Sequence, residues 1–151
     1  MMYRNVVAAL ALLTPVSLTA QSIADQSQTT PLPGNWSYAA NADGSEAIFT
    51  DANNQPQLSL RCVRSIRRVV VSKPATAAAP TLSVWSSTAA KSFPATYDAA
   101  TARLSAQVAN WDPVLDAISY SRGRFAVATN AQPLVVPSWS DISRVVEDCR
   151  V

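Results

Sequence analysis

Histidine is absent from this chain of 151 residues, and its absence limits the chemistry that the protein can perform. Histidine is the commonest general base and the commonest metal ligand, so triads built on it are excluded and a zinc site would need four acidic or sulfur ligands. The chain also has no GxSxG motif, phosphate-binding loop or dinucleotide-binding fingerprint. We therefore assign no catalytic residue, no metal site and no cofactor, and expect a protein that is not an enzyme.

Charged residues are also scarce, at 15% of the chain, and the formal charge at neutral pH is +2. If Arg4 is removed with a signal peptide, eleven basic and ten acidic residues remain. A chain so close to neutral has no general attraction to nucleic acid or to an anionic membrane surface, so we expect no nucleic-acid partner. The 48% of apolar residues is enough to fill one core, and the length fits one domain.

No apolar run is long enough to span a membrane, which needs about 20 residues. The apolar run over residues 6–16 follows a short segment that carries Arg4, and small residues come after it. This order is typical of a secretory signal peptide, which we predict over residues 1–20, with cleavage after Ala20 or alternatively after Ala24. An amphipathic or buried first helix is the alternative. A signal peptide implies that the protein is periplasmic or secreted, with no membrane span once the signal is removed.

Two cysteines, Cys62 and Cys149, make up an even set in a chain expected to reach an oxidising compartment. We predict that they form a disulfide bond, whose long loop stabilises the fold by roughly 4–5 kcal/mol in the chain-entropy model. Two buried thiols or half of a metal site are the alternatives, although neither cysteine lies in a CxxC motif.

Hydrophobic periodicity indicates a mainly β protein. Residues 21–34 are polar and contain two prolines, so we predict a flexible leader there and a single β-rich domain over residues 35–151. Apolar and polar side chains then alternate in short segments, as in Leu58, Leu60 and Cys62, which should point inward. We expect seven or eight antiparallel strands forming a β-sandwich or a curled sheet. The predicted strands cover residues 36–38, 46–50, 58–63, 68–73, 81–86, 101–108, 125–129 and 134–136.

Two helices are predicted within this β-rich pattern. The first covers residues 112–118, with Asp112 as N-cap and Pro113 at the first helical position. The second follows a capping-box pattern, Ser138 to Asp141, and its apolar residues fall within about a third of the circle at helical spacing. Because Cys149 lies in that arc and Cys62 points inward from a strand, a C-terminal helix packed on the sheet brings the two thiols together. The arc consists of Trp139, Ile142, Val145, Val146 and Cys149.

Basic residues are concentrated at one predicted hairpin, whose turn lies near Ser65 and Ile66. Its arginines form a ridge suited to docking an acidic partner, either another envelope protein or an anionic glycan such as lipopolysaccharide. The alternative is solvated charge that protects an edge strand from pairing. A second basic turn, residues 121–124, favours docking if it lies beside the first. The candidate docking residues are Arg61, Arg64, Arg67, Arg68, Arg122 and Arg124.

The sequence pattern around the tryptophans predicts which of them are buried and which are exposed. Trp36 and Trp139 occupy patterned core positions, whereas Trp111 is the tryptophan most expected to be exposed.

We expect a non-catalytic binding or accessory protein, with its ligand and oligomeric state unassigned. An inhibitor of a lytic enzyme is the first alternative, and it would insert residues 121–124 into a cleft. A small envelope hydrolase is the second, and it requires a concave pocket lined by polar residues.

The segment from Leu58 to Cys62 reads LSLRC, with Trp36 near the start of the domain and Cys149 near its end. In this combination the chain resembles small exported bacterial proteins of unassigned function. It is also distantly similar to the VasI-like accessory proteins associated with type VI secretion, in which an LxxRC-like strand pairs with a late cysteine. The resemblance covers roughly residues 36–70 and the last few residues. It implies a periplasmic, non-enzymatic β-sandwich and carries over no active-site residues.

Overall fold

The computed structural model describes residues 23–130 and 132–151, so the predicted signal peptide lies outside the described part. Within that part, nine strands form one sheet, every neighbouring pair is antiparallel, and two helices complete the domain. The strands are β1 (Gly34–Asn41), β2 (Gly44–Asp51), β3 (Pro56–Val63), β4 (Arg68–Pro74), β5 (Thr81–Trp85), β6 (Ala90–Asp98), β7 (Arg103–Ala109), β8 (Arg124–Ala128) and β9 (Leu134–Pro137). The helices are α1 (Pro113–Ser119) and α2 (Ser140–Asp148), and the strand order is β1-β2-β3-β4-β7-β6-β5-β8-β9. The prediction of a mainly β, curled antiparallel sheet with a C-terminal helix is confirmed.

The curl of the sheet brings its two edge strands together. The indole Nε1 of Trp36 in β1 donates a hydrogen bond to the carbonyl of Pro137 in β9, at 2.8 Å. Just before β1, the backbone N–H of Leu32 donates to the carbonyl of Val135, also at 2.8 Å. Trp36 is buried and packs against Phe49, with 5.3 Å between the ring centroids. Its predicted core position is confirmed, and it connects the first strand to the last.

One main core fills the concave side of the sheet. The predicted inward residues of β3, namely Leu58, Leu60 and Cys62, are completely buried. Alternation places their neighbours on the opposite, outer face, as the two-residue period of a strand requires. Helix α2 covers this core with most of its predicted apolar face, and the buried members are Ile142, Val145, Val146 and Cys149.

The start of α2 differs from its prediction. The helix begins at Ser140, and its N-cap is Trp139, which makes no side-chain capping bond. Ser138 donates its hydroxyl to the carbonyl of Ile118 at 2.6 Å, so no capping box forms. Because Trp139 precedes the first helical turn, it does not follow the helical arc, and it is 42% exposed. The predicted core position of Trp139 is therefore wrong, whereas the predicted Asp112 cap of α1 is confirmed.

Strand β6 is not among the predicted strands, because Pro94 interrupts its pattern. Proline has no N–H to donate to a ladder and is rare inside sheets. In the structure, Ala90–Pro94 pairs with β5, and Ala95–Asp98 pairs with β7. Pro94 thus lies where β6 changes its partner strand, and at this position a missing ladder donor costs little.

The disulfide bond joins β3 to the end of α2. Cys62 and Cys149 lie 87 residues apart in sequence, have 5.3 Å between their Cα atoms, and are both buried. The predicted pairing is confirmed. Gly44 at the start of β2 passes so close to this bond that an added Cβ would lie 2.8 Å from the Cys62 sulfur. Its φ of 142° is also one that other residues rarely adopt, so a glycine is required here.

Residues 23–33, which we call the N-terminal segment, contact both hydrophobic clusters, and Leu32 near the end of the segment packs against the main core. Ile23 packs on a small second cluster formed by Trp85, Ala126 and Val135. Near its end, the carbonyl of Thr29 accepts a hydrogen bond from the Arg124 guanidinium. These contacts show where the segment lies and not how it moves, so the flexibility predicted for residues 21–34 stays a prediction.

We predict that loss of the disulfide lowers the melting temperature by roughly 10 °C or more, because a loop this long contributes about 2–5 kcal/mol. Thermal unfolding of the protein with and without reductant measures the effect. The Cys62→Ala, Cys149→Ala double variant should melt at the same temperature as the native protein in reductant. Adding reductant to the variant should not change its melting temperature. An unchanged melting temperature in native protein whose thiols have been shown to be free would contradict the prediction.

Candidate functional site

The β3–β4 hairpin turns through a short 3₁₀ helix, Arg64–Ile66, where the sequence predicts the turn. Arg67 closes this turn in the left-handed conformation, with φ of 53°, and its N–H donates to the carbonyl of Arg64 at 3.0 Å. The carbonyl of Arg67 in turn accepts from the backbone N–H of Asn110 at 3.1 Å. The turn is therefore anchored to the chain segment that leads into α1.

Asp43, in the β1–β2 turn, holds the same hairpin from the other side. Its carboxylate accepts hydrogen bonds from the hydroxyl of Ser65 at 2.6 Å and from the Ser65 N–H at 2.9 Å. Its backbone carbonyl accepts from the N–H of Arg64 at 2.8 Å. The hydrogen bonds from Ser65, helped by the charges of Arg64 and Arg61, lower the pKa of the Asp43 carboxyl.

The residues that follow α2 complete the site. The Asn110 amide is buried and donates to the carbonyl of Cys149 at 2.8 Å. Arg150 donates from Nε to the carbonyl of Asn110 at 2.9 Å, and its two terminal nitrogens bind the carboxylate of Asp116 at 2.8 and 3.1 Å. The Arg150 guanidinium lies over the ring of Trp111, 4.6 Å from its centroid. Trp111 is 68% exposed, so its predicted exposure is confirmed.

These elements enclose a cleft of about 280 Å³, which we call the Arg64 cleft. Three guanidiniums reach it, and among the described residues that of Arg150 alone forms an ion pair. Arg64 donates from Nε to a neutral acceptor, the carbonyl of Asp148, at 3.2 Å. Within the part of the chain that the structure describes, the Arg67 side chain has no hydrogen-bond or ion-pair partner. The lining residues are Arg64, Arg67, Asn110, Trp111, Cys149, Arg150 and Val151.

A second carboxylate, that of Asp148, lies near Arg64 and already accepts a hydrogen bond from another side chain. The hydroxyl of Tyr38 donates to it at 2.6 Å, and the guanidinium of Arg144 lies 3.7 Å from the centre of the Tyr38 ring. Burial opposes ionisation, but the Tyr38 hydrogen bond and the charges of Arg144 and Arg64 hold the pKa of Asp148 below its ordinary value. The acid therefore stays ionised and turned toward Tyr38.

The other candidate docking residues of the hairpin lie elsewhere. Arg61 and Arg68 occupy outward positions of β3 and β4, next in sequence to the inward Cys62 and Val69. Arg68 lines a separate groove on the outer face, together with Gln107. The predicted ridge is thus divided, with two arginines at the Arg64 cleft and two on the outer face of the sheet.

The second basic turn lines a different cleft, of about 430 Å³, which we call the Arg122 cleft. It has no lining residue in common with the Arg64 cleft. Ser121 is buried, and its hydroxyl donates a short hydrogen bond to the carbonyl of Arg124. The lining residues are Ser27, Trp85, Ser87, Thr88, Arg122 and Arg124.

A further cleft lies near the loop between β4 and β5 and has a volume of about 630 Å³. Five of its ten described lining residues are alanine, and the cationic one is Lys73. Burial lowers the pKa of the Lys73 ammonium, which donates to the carbonyl of Pro74 at 3.0 Å. This cleft offers a half-buried cation and little other polar chemistry.

Sequence reasoning identified Arg64 and Arg67 but missed Asn110 and Arg150 as parts of the same site. The available signal was the predicted disulfide, because a bond from Cys149 to β3 places Arg150 beside the hairpin that follows β3. Asn110 carries no such signal, since its role depends on contacts made after folding.

No protein-family model matches this chain, and no curated protein or solved structure is significantly similar to it. Neither described helix has the length and apolar content needed to cross a membrane. Among residues 23–130 and 132–151, no group of three or more acidic or cysteine side chains is arranged to hold a metal ion. The geometry of the clefts therefore carries the functional argument.

We predict that Asp43→Asn makes the stability of the protein less dependent on pH in acid. The folded-state pKa of Asp43 lies below its unfolded value, near 3.9, so its ionisation stabilises the fold above that pH and the contribution is lost as the pH falls through the folded-state pKa. Urea unfolding measured from pH 6 to pH 2.5 should show a shallower decline in the variant. The exposed Glu147→Gln is a matched charge control, and a decline as steep in Asp43→Asn as in the native protein would contradict the prediction.

Proposed function

We propose that this protein is an exported, non-catalytic binding or accessory protein, active in the periplasm or outside the cell, that docks an acidic group of a partner protein in the Arg64 cleft. One observation carries the proposal. The guanidiniums of Arg64 and Arg67 reach a cleft whose walls are fixed by a disulfide, and neither forms an ion pair with a described residue.

Arginine suits this role because its planar fork of donors matches the two oxygens of a carboxylate. A guanidinium whose two terminal nitrogens already bind a carboxylate has little capacity left for a ligand. Arg150 is used in this way, since Asp116 binds both of its terminal nitrogens. Arg64 and Arg67 keep their terminal nitrogens available, and they are the residues that we expect to bind the partner.

A protein partner is favoured over a glycan by the apolar side chains at the same place. Trp111 is 68% exposed and Ile66, between the two arginines, is 51% exposed. Exposed aromatic and aliphatic side chains beside arginines are typical of the central residues of protein interfaces. An anionic glycan remains the second candidate ligand, because carboxylated or phosphorylated sugars offer the same charge.

Export is supported by the sequence pattern of residues 1–20 and by the disulfide, which persists in oxidising compartments. An accessory role is supported by the resemblance of the LSLRC segment to that of VasI-like proteins. The inhibitor alternative draws less support, since Ser121 is turned inward and Arg124 is hydrogen-bonded to Thr29. In the part of the chain that the structure describes, Arg122 is then the remaining cationic side chain that projects from that turn.

We predict that the Arg64→Gln, Arg67→Asn double variant loses its partner while folding normally. Asparagine is chosen at position 67 because it tolerates the left-handed conformation. The measurement is a pull-down from an envelope extract with purified protein, followed by titration of the captured partner. Loss of two charge-assisted contacts should weaken binding at least about tenfold.

The matched control is Arg61→Gln, Arg68→Gln, which removes the same charge from the same hairpin but from its outer face. It should bind like the native protein. An equal loss of partner binding in both double variants would show a general charge effect. Unchanged binding in both would exclude the Arg64 cleft as the docking site. Failure of the native protein to capture anything would also count against a binding function.

We predict further that the chain is processed during export. Intact mass of the protein recovered from the periplasm of an expressing bacterium should correspond to a chain that begins at Gln21 or at Asp25, because the signal is cleaved after Ala20 or Ala24. A full-length chain found in the cytoplasmic fraction alone would contradict both the signal peptide and the location.

A further inference from the structure

The Arg122 cleft is formed by three separate parts of the chain. The N-terminal segment contributes Ser27, and the loop between β5 and β6 contributes Ser87 and Thr88. Arg122, in the turn before β8, and Arg124, the first residue of β8, complete the lining. Hydroxyl and guanidinium donors therefore reach the cleft from the β5–β6 loop and from the basic turn, and Trp85, at the end of β5, forms part of its wall.

The two guanidiniums make this cleft basic. Among the residues that the structure describes, no acidic side chain lines it. Arg124 donates to the neutral carbonyl of Thr29, and the exposed Arg122 side chain has no partner among the residues that the structure describes. The carboxylate of Asp25 accepts from the N–H and the hydroxyl of the lining residue Ser27 at 2.9 and 3.0 Å, so the donors of Ser27 are already used.

The loop that carries the hydroxyls is fixed before any ligand binds. The buried hydroxyl of Ser86 accepts from the N–H of Ala89 at 3.0 Å and from that of Thr88 at 3.3 Å. The Ser87 N–H donates to the hydroxyl of Ser121 at 3.3 Å, so this loop is also bonded to the basic turn. Donors held in place in this way bind a ligand without the cost of ordering a flexible loop.

We propose that the Arg122 cleft binds a phosphorylated sugar. A phosphate group matches the two cationic side chains that line the cleft, because arginine forks bind it bidentately. The sugar ring would rest near Trp85, where its hydroxyls meet those of Ser87 and Thr88. A volume of about 430 Å³ is at the small end of the range for ligand pockets, which suits one sugar ring with its phosphate.

The N-terminal segment completes this site. Ser27 is a wall residue, and the carbonyl of Thr29 holds Arg124 in place. Both predicted cleavage positions, after Ala20 and after Ala24, leave Ser27 and Thr29 in the mature chain. Sugar-phosphate binding and docking at the Arg64 cleft use no common residue, so each can fail without the other.

Isothermal titration with glucose 1-phosphate, glucose and inorganic phosphate tests the proposal. Glucose 1-phosphate should bind more tightly than either component, and Arg122→Gln should weaken it at least about tenfold. The Arg61→Gln variant, which removes an exposed arginine from the outer face of β3, is the matched control and should bind normally. No binding of glucose 1-phosphate, or binding that Arg122→Gln leaves unchanged, would overturn the proposal. If inorganic phosphate binds as tightly as glucose 1-phosphate, the sugar is excluded as part of the ligand.

Nuclear magnetic resonance locates the ligand independently of affinity. Addition of glucose 1-phosphate should shift the amide signals of Ser87 and Thr88 and the indole signal of Trp85. The indole signal of Trp111, at the Arg64 cleft, should not move. Shifts confined to the Arg64 cleft would assign the anion to the other site and contradict this inference.

Discussion

The disulfide between Cys62 and Cys149 is the constraint on which the arrangement of the Arg64 cleft depends. It fixes the end of α2 against β3, and the hairpin turn begins immediately after that strand. Two neighbours of the bond extend its effect, since Asn110 hydrogen-bonds to the carbonyl of Cys149 and Arg150 returns to the carbonyl of Asn110. Three segments that are distant in sequence thereby meet around one covalent bond.

At the Arg64 cleft, a turn with a rigid backbone carries side chains that are available to a ligand. The turn is held by Asp43 on one side and by the Asn110 N–H on the other, so its backbone has little freedom. The guanidiniums of Arg64 and Arg67 are nevertheless exposed and free of ion pairs with described residues. The cost of ordering this backbone is met during folding, so a ligand has to order only the two side chains.

The parts of the fold that follow from local patterns are predicted well by the sequence. Alternation identifies the inward residues of β3, and the Asp112–Pro113 pair marks the start of α1. Strand β6 is missed because Pro94 argues against a strand, and only the change of partner strand at that residue makes it acceptable. Trp139 is misplaced because a helical arc was extended one residue beyond the true start of α2.

The candidate site is predicted less completely, for a physical reason. Runs of arginine are visible in a sequence, but the face that each occupies depends on strand register, which separates Arg61 and Arg68 from Arg64 and Arg67. Arg122 and Arg124 were candidates for the same docking surface as the hairpin arginines. The fold instead places them at the Arg122 cleft, which has no lining residue in common with the Arg64 cleft. Tertiary contacts, rather than composition, decide which charges act together.

Hydrogen exchange of individual amides, compared between the oxidised protein and the folded, reduced protein, tests the central role of the disulfide most directly. The account predicts that the amides of Ser65, Arg67 and Asn110 lose protection first, because their hydrogen bonds surround the cleft that the bond holds together. The amides between β5 and β8, on the far side of the sheet, should stay protected. Equal loss of protection in both regions, or none at the cleft, would contradict the account.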